Sequence, residues 1–194
     1  MNIYTLEDLN QHYSELIHDN VWKYAIATVL IDNEILLILR SDQMPTHSGQ
    51  VGMFGGARKK GESFLETAKR EFEEETSISA QDLEFLGYGK PSQTRGRKVT
   101  IPVIFEIKQY NLDTFMKNVK SNGEWVETFS IPIPEFKNND NWGYSNYHRN
   151  GQSFQFYFFD HSKTLFGQSQ RGKSSKALLW GMTANVVYNL FRIT

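Results

Sequence analysis

The stretch from Gly56 to Ile78 constrains the fold and the chemistry of this chain more than any other part of it. It begins with a glycine turn and continues into a segment rich in glutamate. Ser63 and Glu66 have the three-residue spacing of a capping box, so we expect a helix to begin there. The apolar residues that recur at helical spacing, and that we expect to face the core, are Leu65, Ala68 and Phe72.

Three carboxylates lie close together on another face of this predicted helix. Glu71, Glu74 and Glu75 are spaced i, i+3 and i+4, and like charges at such spacing cost an isolated helix a few tenths of a kcal/mol. Hard oxygen donors at this spacing suit Mg²⁺ or Mn²⁺. Arg70 has the spacing to reach Glu66 or Glu74 and steady a carboxylate. A solvated acidic face is the alternative, but the preceding glycine turn favours a metal site.

The same stretch resembles the Nudix box, a pattern of glycine, glutamate and an Arg-Glu pair followed by two further glutamates. The positions that match it in register are Gly56, Glu62, Arg70, Glu71, Phe72, Glu74, Glu75 and Ile78. Ser77 stands where the family has glycine. That glycine ends the helix in a left-handed conformation, so a serine there costs roughly 1 kcal/mol of stability.

The resemblance implies an α+β fold, a Nudix-type α/β/α sandwich with a mixed central sheet and a loop-helix-loop over residues 56–78. It also implies hydrolysis of a pyrophosphate bond, with Mg²⁺ or Mn²⁺ as cofactor. The implied metal ligands are Glu71, Glu75, Glu74 and the carbonyl of Gly55. The implied catalytic residues within the box are Glu74, Glu75 and Arg70. Glu62 is expected to support the site through Arg70.

The segment before the box resembles the signature of the coenzyme A diphosphatase branch of this family. The matching elements are Leu36-Leu37, Arg40-Ser41, His47, Gly49-Gln50-Val51 and Gly55-Gly56. The branch has Phe-Pro before the paired glycines, where this chain has Met53-Phe54. The substrate-binding residues expected from this segment are Arg40, His47, Gly49 and Gln50. Arg40 offers phosphate a planar donor fork, with a surface residue at a strand end as the alternative. His47 is a candidate phosphate contact or proton carrier, with a loop histidine bonded to backbone as the alternative.

Two further segments carry candidate functional residues. Glu124 and Glu127 lie at the start of a predicted strand. Either is a candidate base or additional metal ligand from outside the helix. The catalytic role is assigned to Glu127. The cations between residues 90 and 98 are candidates for contact with a phosphate, such as the 3′-phosphate of coenzyme A, although a solvated hairpin tip is the favoured interpretation.

Length and composition limit the class of protein. The chain has 194 residues, a net charge of −1 and no cysteine, so we expect one domain over residues 1–194, no thiolate metal site and no nucleic-acid binding through bulk charge. Its N-terminus lacks the features of a signal peptide, and no apolar run approaches the ~20 residues of a membrane span. A cytoplasmic enzyme with a small nucleotide substrate is expected; a homodimer stays open.

Periodicity predicts the remaining elements. We expect an N-terminal helix over about 5–18 and a C-terminal helix over about 174–192. The C-terminal helix is expected to pack on the sheet through one side, which includes Trp180, Ala184 and Val187. Residues 138–151 are polar with interleaved aromatic residues, which predicts a long loop. The predicted strands cover 24–31, 34–39, 83–88, 100–108, 122–132 and 154–160.

Three functions are compatible with these features. The first is a metal-dependent diphosphatase that cleaves coenzyme A or its thioesters to 3′,5′-ADP and a phosphopantetheine. The second is the same chemistry on ADP-ribose, NADH or another nucleotide. The third is a non-catalytic nucleotide sensor, which the complete set of box glutamates disfavours.

Overall fold

The computed structural model describes residues 1–14, 23–93, 98–149, 152–160 and 178–192. The helices within these ranges are α1 (Leu6–His12), α2 (Phe64–Thr76), α3 (Leu112–Asn118), α4 (Ile133–Lys137) and α5 (Gly181–Phe191). The strands are β1 (Lys23–Ile31), β2 (Glu34–Arg40), β3 (Val51–Gly52), β4 (Phe54–Ala57), β5 (Leu83–Tyr88), β6 (Ser92–Gln93), β7 (Val99–Ile107), β8 (Trp125–Pro132), β9 (Trp142–Arg149), β10 (Gln152–Asp160) and β11 (Leu178–Leu179).

The large sheet is mixed. β1 pairs in parallel with β7 along nearly its whole length, and β7 pairs antiparallel with β5 and β6. β2 pairs antiparallel with β8. A separate antiparallel sheet has the order β11-β10-β9.

The two strands of the β1–β2 hairpin diverge with distance from the turn, and we call this feature the forked hairpin. Its strands pair with each other only near the turn, at Leu30 with Ile35 and Ile31 with Glu34. Farther from the turn, β3 pairs with β2 and β4 pairs with the first half of β1. The segment 51–57 therefore lies between the two arms, and it includes the paired glycines that precede α2.

Helices cover both faces of this sheet. One core joins the sheet to α1, α2 and α3 and includes Leu9, Phe72 and Phe115. A second core joins the opposite face to α4 and α5 and includes Phe136 and Leu190. This arrangement confirms the predicted α+β, α/β/α fold class with a mixed central sheet.

The helix predicted after the glycine turn is present with its expected ends. Ser63 and Glu66 form a reciprocal capping box, and Ala68 and Phe72 are fully buried. Ser77 ends α2 in the left-handed conformation, with φ 59° and ψ 16°, which confirms the prediction for the position where the family has glycine.

The C-terminal helix was predicted to begin at about residue 174, and this starting point was wrong. α5 begins at Gly181, while Leu178 and Leu179 form β11 and pair with Asp160 and Phe159. Gly181 has a φ of +63°, which interrupts any helix that would run through it. The expected packing of this helix on the sheet is confirmed, because Ala184, Val187 and Phe191 are buried in the second core. Trp180 itself occupies the N-cap position of α5 and is 45% exposed. Residues 174–177 lie outside the described ranges.

Two other predictions need correction. The predicted loop 138–151 contains β9, whose residues pair with β10 from Trp142 to Arg149. The N-terminal helix ends at His12 within the described residues; Thr5 caps it as expected, but Leu6 is 50% exposed. Residues 15–22 lie outside the described ranges. Helix α3, capped by Asn111, was not predicted. No helix in the described ranges is long and apolar enough to cross a membrane.

Candidate active site

Glu75 is a nearly fully buried carboxylate at the end of α2. The residue is 1% exposed, and Oε1 of its carboxylate accepts a 3.0 Å hydrogen bond from the backbone N–H of Gly55. Its Oε2 is buried without a hydrogen-bond partner. Burial raises the pKa of Glu75 to about 8, and the charges of Glu124 and Glu71 add to the rise, while Arg40 and the Gly55 N–H oppose it.

Glu71 lies one turn before Glu75 and faces the same glycine strand. A Cβ added to Gly56 would stand 2.5 Å from Cδ of Glu71, so the missing side chain makes room for this carboxylate. Burial raises the pKa of Glu71, and hydrogen bonding to Arg70 opposes the rise. β4 and α2 thus present backbone and carboxylate oxygens to the same small volume.

Arg70 organises the outer side of this cluster. Its Nε and Nη2 donate to the two oxygens of Glu62 at 2.7 and 3.1 Å. Its Nη1 donates to Glu71 at 2.6 Å and to Glu74 at 3.0 Å. The hydrogen bonds from Arg70 lower the pKa of Glu62 to about 2. Arg70 therefore contacts Glu62, Glu71 and Glu74, whereas Glu66 is engaged in the capping box instead.

Arg40 approaches the same region from the end of β2. Its side chain is 18% exposed, and its Nε is buried without a hydrogen-bond partner. The Cγ and Cδ of Arg40 lie 3.7 Å from the position of a Cβ on Gly52, so the side chain crosses β3 where that strand has no side chain. The charge of Arg40 also lowers the pKa of Glu75.

The two glutamates before and on β8 occupy different positions. Glu124 has Oε2 4.0 Å from Nη2 of Arg40, and its charge raises the pKa of both Glu71 and Glu75. Glu127 is exposed and pairs with Leu39, after a register shift that pairs Trp125 with Arg40. That shift turns Glu127 toward the face opposite α2. A catalytic role for Glu127 stays a prediction.

The loop residues expected to bind substrate lie beside Arg40. Gln50 accepts a 2.9 Å backbone hydrogen bond from the N–H of Arg40. The exposed His47 ring lies 3.2 Å from the side-chain oxygen of Gln50, through Nδ1. His47 and Gly49 both have positive φ, at 58° and 62°. The side chain of His47 thus contacts another predicted site residue, while its contact with substrate stays a prediction.

Trp125 links β8 to the helix that carries the carboxylates. Its indole Nε1 donates a 3.0 Å hydrogen bond to the backbone oxygen of Glu75, which lies in the last turn of α2. The carbonyls of a last turn have no partner within the helix. Sequence reasoning missed this contact, because the periodicity of Trp125 indicates only a buried strand residue.

The donor set fits a divalent cation in its chemistry. Glu71 and Glu75 supply hard oxygens beside the glycine strand, and Glu75 keeps one buried oxygen unpaired. No group of three acidic, histidine or cysteine side chains in the described ranges already has the spacing of a metal site. Arg70 bonds to Glu71 and Glu74 in this arrangement. These two carboxylates would therefore exchange a bond to Arg70 for one to the cation.

Comparison with known proteins agrees with this geometry. A model of the NUDIX domain matches residues 22–150. A protein named uncharacterised Nudix hydrolase NudL from Yersinia enterocolitica is 30% identical over 157 residues, covering 80% of this chain and 71% of that protein. Its namesake from Photorhabdus laumondii is 29% identical over 158 residues, covering 80% and 74%.

A solved structure supports the fold. The crystal structure of a MutT/nudix family protein from Enterococcus faecalis aligns with a TM-score of 0.52 at 16% identity, over 97% of this chain and 73% of that one. The matched domain contains the glycine strand, the carboxylate helix and Arg40. The chain therefore belongs to the Nudix family and is a Nudix-type pyrophosphohydrolase.

Proposed function

We infer that this enzyme hydrolyses the pyrophosphate bond of coenzyme A or an acyl-coenzyme A, giving 3′,5′-ADP and a phosphopantetheine. The main observation in support of this reaction is a pair of buried polar atoms without hydrogen-bond partners. They are an acceptor, Oε2 of Glu75, and a donor, Nε of Arg40. A buried polar atom without a partner costs about 1–3 kcal/mol. A cation at Glu75 with a phosphate at Arg40 would remove both costs.

In this proposal the cation is Mg²⁺ or Mn²⁺, held by Glu71, Glu75, Glu74 and the carbonyl of Gly55. When bound, it would offset the charge of the pyrophosphate and lower the pKa of a coordinated water. Gly55 also orients the carboxylate of Glu75, because its backbone N–H donates a 3.0 Å hydrogen bond to Oε1.

Arg70 acts on the carboxylates in this proposal. Its bidentate bond to Glu62 fixes the guanidinium, so that Nη1 positions Glu71 and Glu74 before the cation binds. Arg40 binds a phosphate oxygen of the substrate through its guanidinium group. Gly49, Gln50 and His47 line the approach beside it, with the backbone of Gln50 bonded to Arg40.

The choice of coenzyme A rests on the segment before the box. Arg40-Ser41 and the run from His47 to Val51 match the signature of the coenzyme A branch, whereas Met53-Phe54 replaces its Phe-Pro. Ser41 is buried and its N–H bonds to the carbonyl of Glu124, so this pair has a structural role. Contact of the 90–98 segment with the 3′-phosphate stays a prediction, and residues 94–97 lie outside the described ranges.

The same site chemistry suits ADP-ribose, NADH or another nucleoside diphosphate derivative. The departure at Met53-Phe54 favours keeping this second candidate. Met53 is buried and accepts a 3.3 Å hydrogen bond from Thr28, so it supports the glycine strand from the sheet.

Product analysis with Mg²⁺ tests the proposal. Coenzyme A, acetyl-coenzyme A, ADP-ribose and NADH are incubated separately with the protein, and the products are identified by mass spectrometry. We expect 3′,5′-ADP from the coenzyme A substrates at a higher kcat/KM than cleavage of the others. Preferential cleavage of ADP-ribose or NADH would replace the substrate assignment, and no cleavage with Mg²⁺ or Mn²⁺ would reject catalysis on these substrates.

A further inference from the structure

Thr67 is a fully buried residue near the start of α2, and its hydroxyl group has two acceptors within reach. Its Oγ1 lies 2.9 Å from Oε2 of Glu62 and 2.9 Å from the backbone oxygen of Ser63. A hydroxyl group has one proton to donate. The oxygen of Ser63 already accepts the backbone N–H of Thr67, and a hydrogen bond to a charged acceptor is the stronger of the two. The proton of Thr67 is therefore directed to the carboxylate of Glu62.

Glu62 accepts hydrogen bonds from both sides of the turn before α2. Its Oε2 accepts from the backbone N–H of Lys59 at 3.0 Å as well as from the hydroxyl group of Thr67. The same oxygen accepts from Nη2 of Arg70 at 3.1 Å, and Oε1 accepts from Nε of Arg70 at 2.7 Å. Lys59 thus restrains this carboxylate from the turn, and Thr67 restrains it from the helix.

Arg70 extends this restraint to the carboxylates proposed to bind the cation. A guanidinium group is rigid and planar, so the two bonds to Glu62 also set the direction of its third nitrogen. That nitrogen, Nη1, donates to Glu71 at 2.6 Å and to Glu74 at 3.0 Å. The positions of Glu71 and Glu74 before the cation binds therefore depend on Glu62, and through Glu62 on Thr67.

We propose that Thr67 is a positioning residue for the cation site, acting through Glu62 and Arg70 rather than by contact with metal or substrate. The inference rests on the cation site of the proposed function. Without the hydroxyl group, Glu62 has no bond to the side of the helix and Arg70 gains freedom with it. The cation would then have to order Glu71 and Glu74 itself, which costs side-chain entropy.

Thr76 provides a matched control in the same helix. It is also fully buried, and its Oγ1 donates a 2.6 Å hydrogen bond to the backbone oxygen of Phe72, four residues earlier. The same oxygen accepts a 3.1 Å hydrogen bond from the N–H of Ile78. Neither bond involves a carboxylate. Loss of this hydroxyl group therefore weakens α2 without disturbing the connection from Glu62 to Arg70.

The first test compares Thr67→Val, Thr67→Ser and Thr76→Val, because valine keeps the shape of threonine and removes only the hydroxyl group. We expect Thr67→Val to weaken Mn²⁺ binding to the substrate-free protein, measured by calorimetry, by about tenfold, the lower end of the range for residues that support metal ligands. At saturating Mn²⁺, kcat should fall about fivefold with KM changed less than threefold, since Arg40 lies outside this network. Thr67→Ser should restore both quantities, and Thr76→Val should lower the melting temperature alone.

A double-mutant cycle tests whether Thr67 acts through Glu62. In a Glu62→Gln background, adding Thr67→Val should change Mn²⁺ affinity and kcat less than twofold, whereas independent effects would multiply. Thr67→Ala removes the hydroxyl group with the residue of highest helix propensity and should give the same losses as Thr67→Val. Circular dichroism checks that each variant is folded.

Four results would overturn the role of Thr67. They are wild-type Mn²⁺ affinity and kcat in Thr67→Val or Thr67→Ala, failure of Thr67→Ser to restore them, multiplied effects in the double variant, and equal losses of kcat in Thr67→Val and Thr76→Val. The last result would show that activity follows the stability of α2. A wild-type protein that binds no Mn²⁺ and cleaves no nucleotide would reject the proposed function itself, whereas an active wild type with an equally active Thr67→Val would reject this inference alone.

Discussion

The indole of Trp125 bonds the backbone oxygen of Glu75 at 3.0 Å, so a side chain of β8 caps the helix that carries the carboxylates. Trp125 is 6% exposed and packs its ring edge-on against Phe54, with centroids 6.4 Å apart. One residue therefore joins β8, the glycine strand and the end of α2.

Replacing Trp125 with phenylalanine should weaken both stability and turnover. The variant keeps an aromatic ring but leaves the carbonyl of Glu75 without its donor, which costs about 1–3 kcal/mol of unfolding free energy. We expect a lower urea midpoint and a kcat reduced by severalfold, because the positions of Glu75 and Glu124 both depend on this bond. Urea denaturation and steady-state kinetics measure the two effects. An unchanged midpoint would show that the bond contributes nothing to stability.

Gly56→Ala should damage the site while leaving the fold intact. Its Cβ would overlap the carboxylate of Glu71, a side chain able to rotate away. We expect Mn²⁺ affinity and kcat to fall at least tenfold, with a small change in melting temperature.

Gly55→Ala supplies the contrast. A Cβ there would meet backbone, with Cα of Ile26 at 2.7 Å, and Gly55 has a φ of +151°. That variant should lose several degrees of melting temperature. Equal thermal losses in the two variants would contradict the separation between a site glycine and a fold glycine.

The metal-free protein should be more stable near pH 5 than near pH 8. The pKa of Glu75 rises from 4.5 to about 8 on folding, so the folded state binds more protons across that interval. The stability that this group contributes is complete below pH 4.5 and is lost as the pH rises through about 8. The raised pKa of Glu71 acts in the same direction. The effect is on the order of 3 kcal/mol for Glu75.

Thermal denaturation in EDTA across this pH range measures the effect. Glu75→Gln should reduce the change in melting temperature with pH. Glu84→Gln is the control, at an exposed glutamate of β5 that pairs with Lys108, and it should leave this change as in wild type. Mg²⁺ should raise the melting temperature more at pH 8 than at pH 5, because a larger fraction of Glu75 is ionised there. A wild-type melting temperature that does not fall between pH 5 and pH 8 would refute the assignment of Glu75 as a proton-binding group.

Ser77→Gly should stabilise the protein. Ser77 has a φ of 59°, a left-handed conformation that glycine adopts without steric cost. Greater freedom of glycine in the unfolded chain offsets part of the gain. We expect a net increase of about 0.5 kcal/mol in unfolding free energy, read from the urea midpoint, with kcat unchanged. A lower midpoint would show that the hydroxyl group of Ser77 contributes more than its backbone costs.

Local signals made α2 predictable. The Ser63–Glu66 capping box and the spacing of Ala68 and Phe72 lie within the helix, so neighbouring residues determine its beginning and its buried face. The closeness of Glu71 and Glu75 follows from the same periodicity. The role of Glu62 as a partner of Arg70 was also anticipated, and the bidentate geometry agrees with it.

Pairing between distant segments explains the errors. Leu178 and Leu179 have the apolar character of a helix start, but Phe159 and Asp160 pair with them as strand residues. β9 likewise depends on β10, which the polar composition of 138–151 does not show.

The position of Glu127 depends on a register shift opposite Arg40, and such a shift is set by the paired strand. Alternation alone would place Trp125 and Glu127 on one face. The structure therefore brings Glu124 close enough for its charge to affect Glu71 and Glu75, whereas the catalytic role predicted from the sequence was assigned to Glu127.

The forked hairpin gives the enzyme a mechanical property. Its two arms carry Arg40 and, through β4, Gly55, while the turn at Asp32–Asn33 forms the vertex. That vertex is pinned from two sides, because Asp32 accepts a 2.7 Å bond from the N–H of Leu112 and Asn33 accepts a 3.0 Å bond from the N–H of Ile133. A rotation at this vertex would change the distance between Arg40 and Gly55, the two groups proposed to bind phosphate and metal. The proposed alignment would then depend on Asp32 and Asn33, at the far end of the sheet.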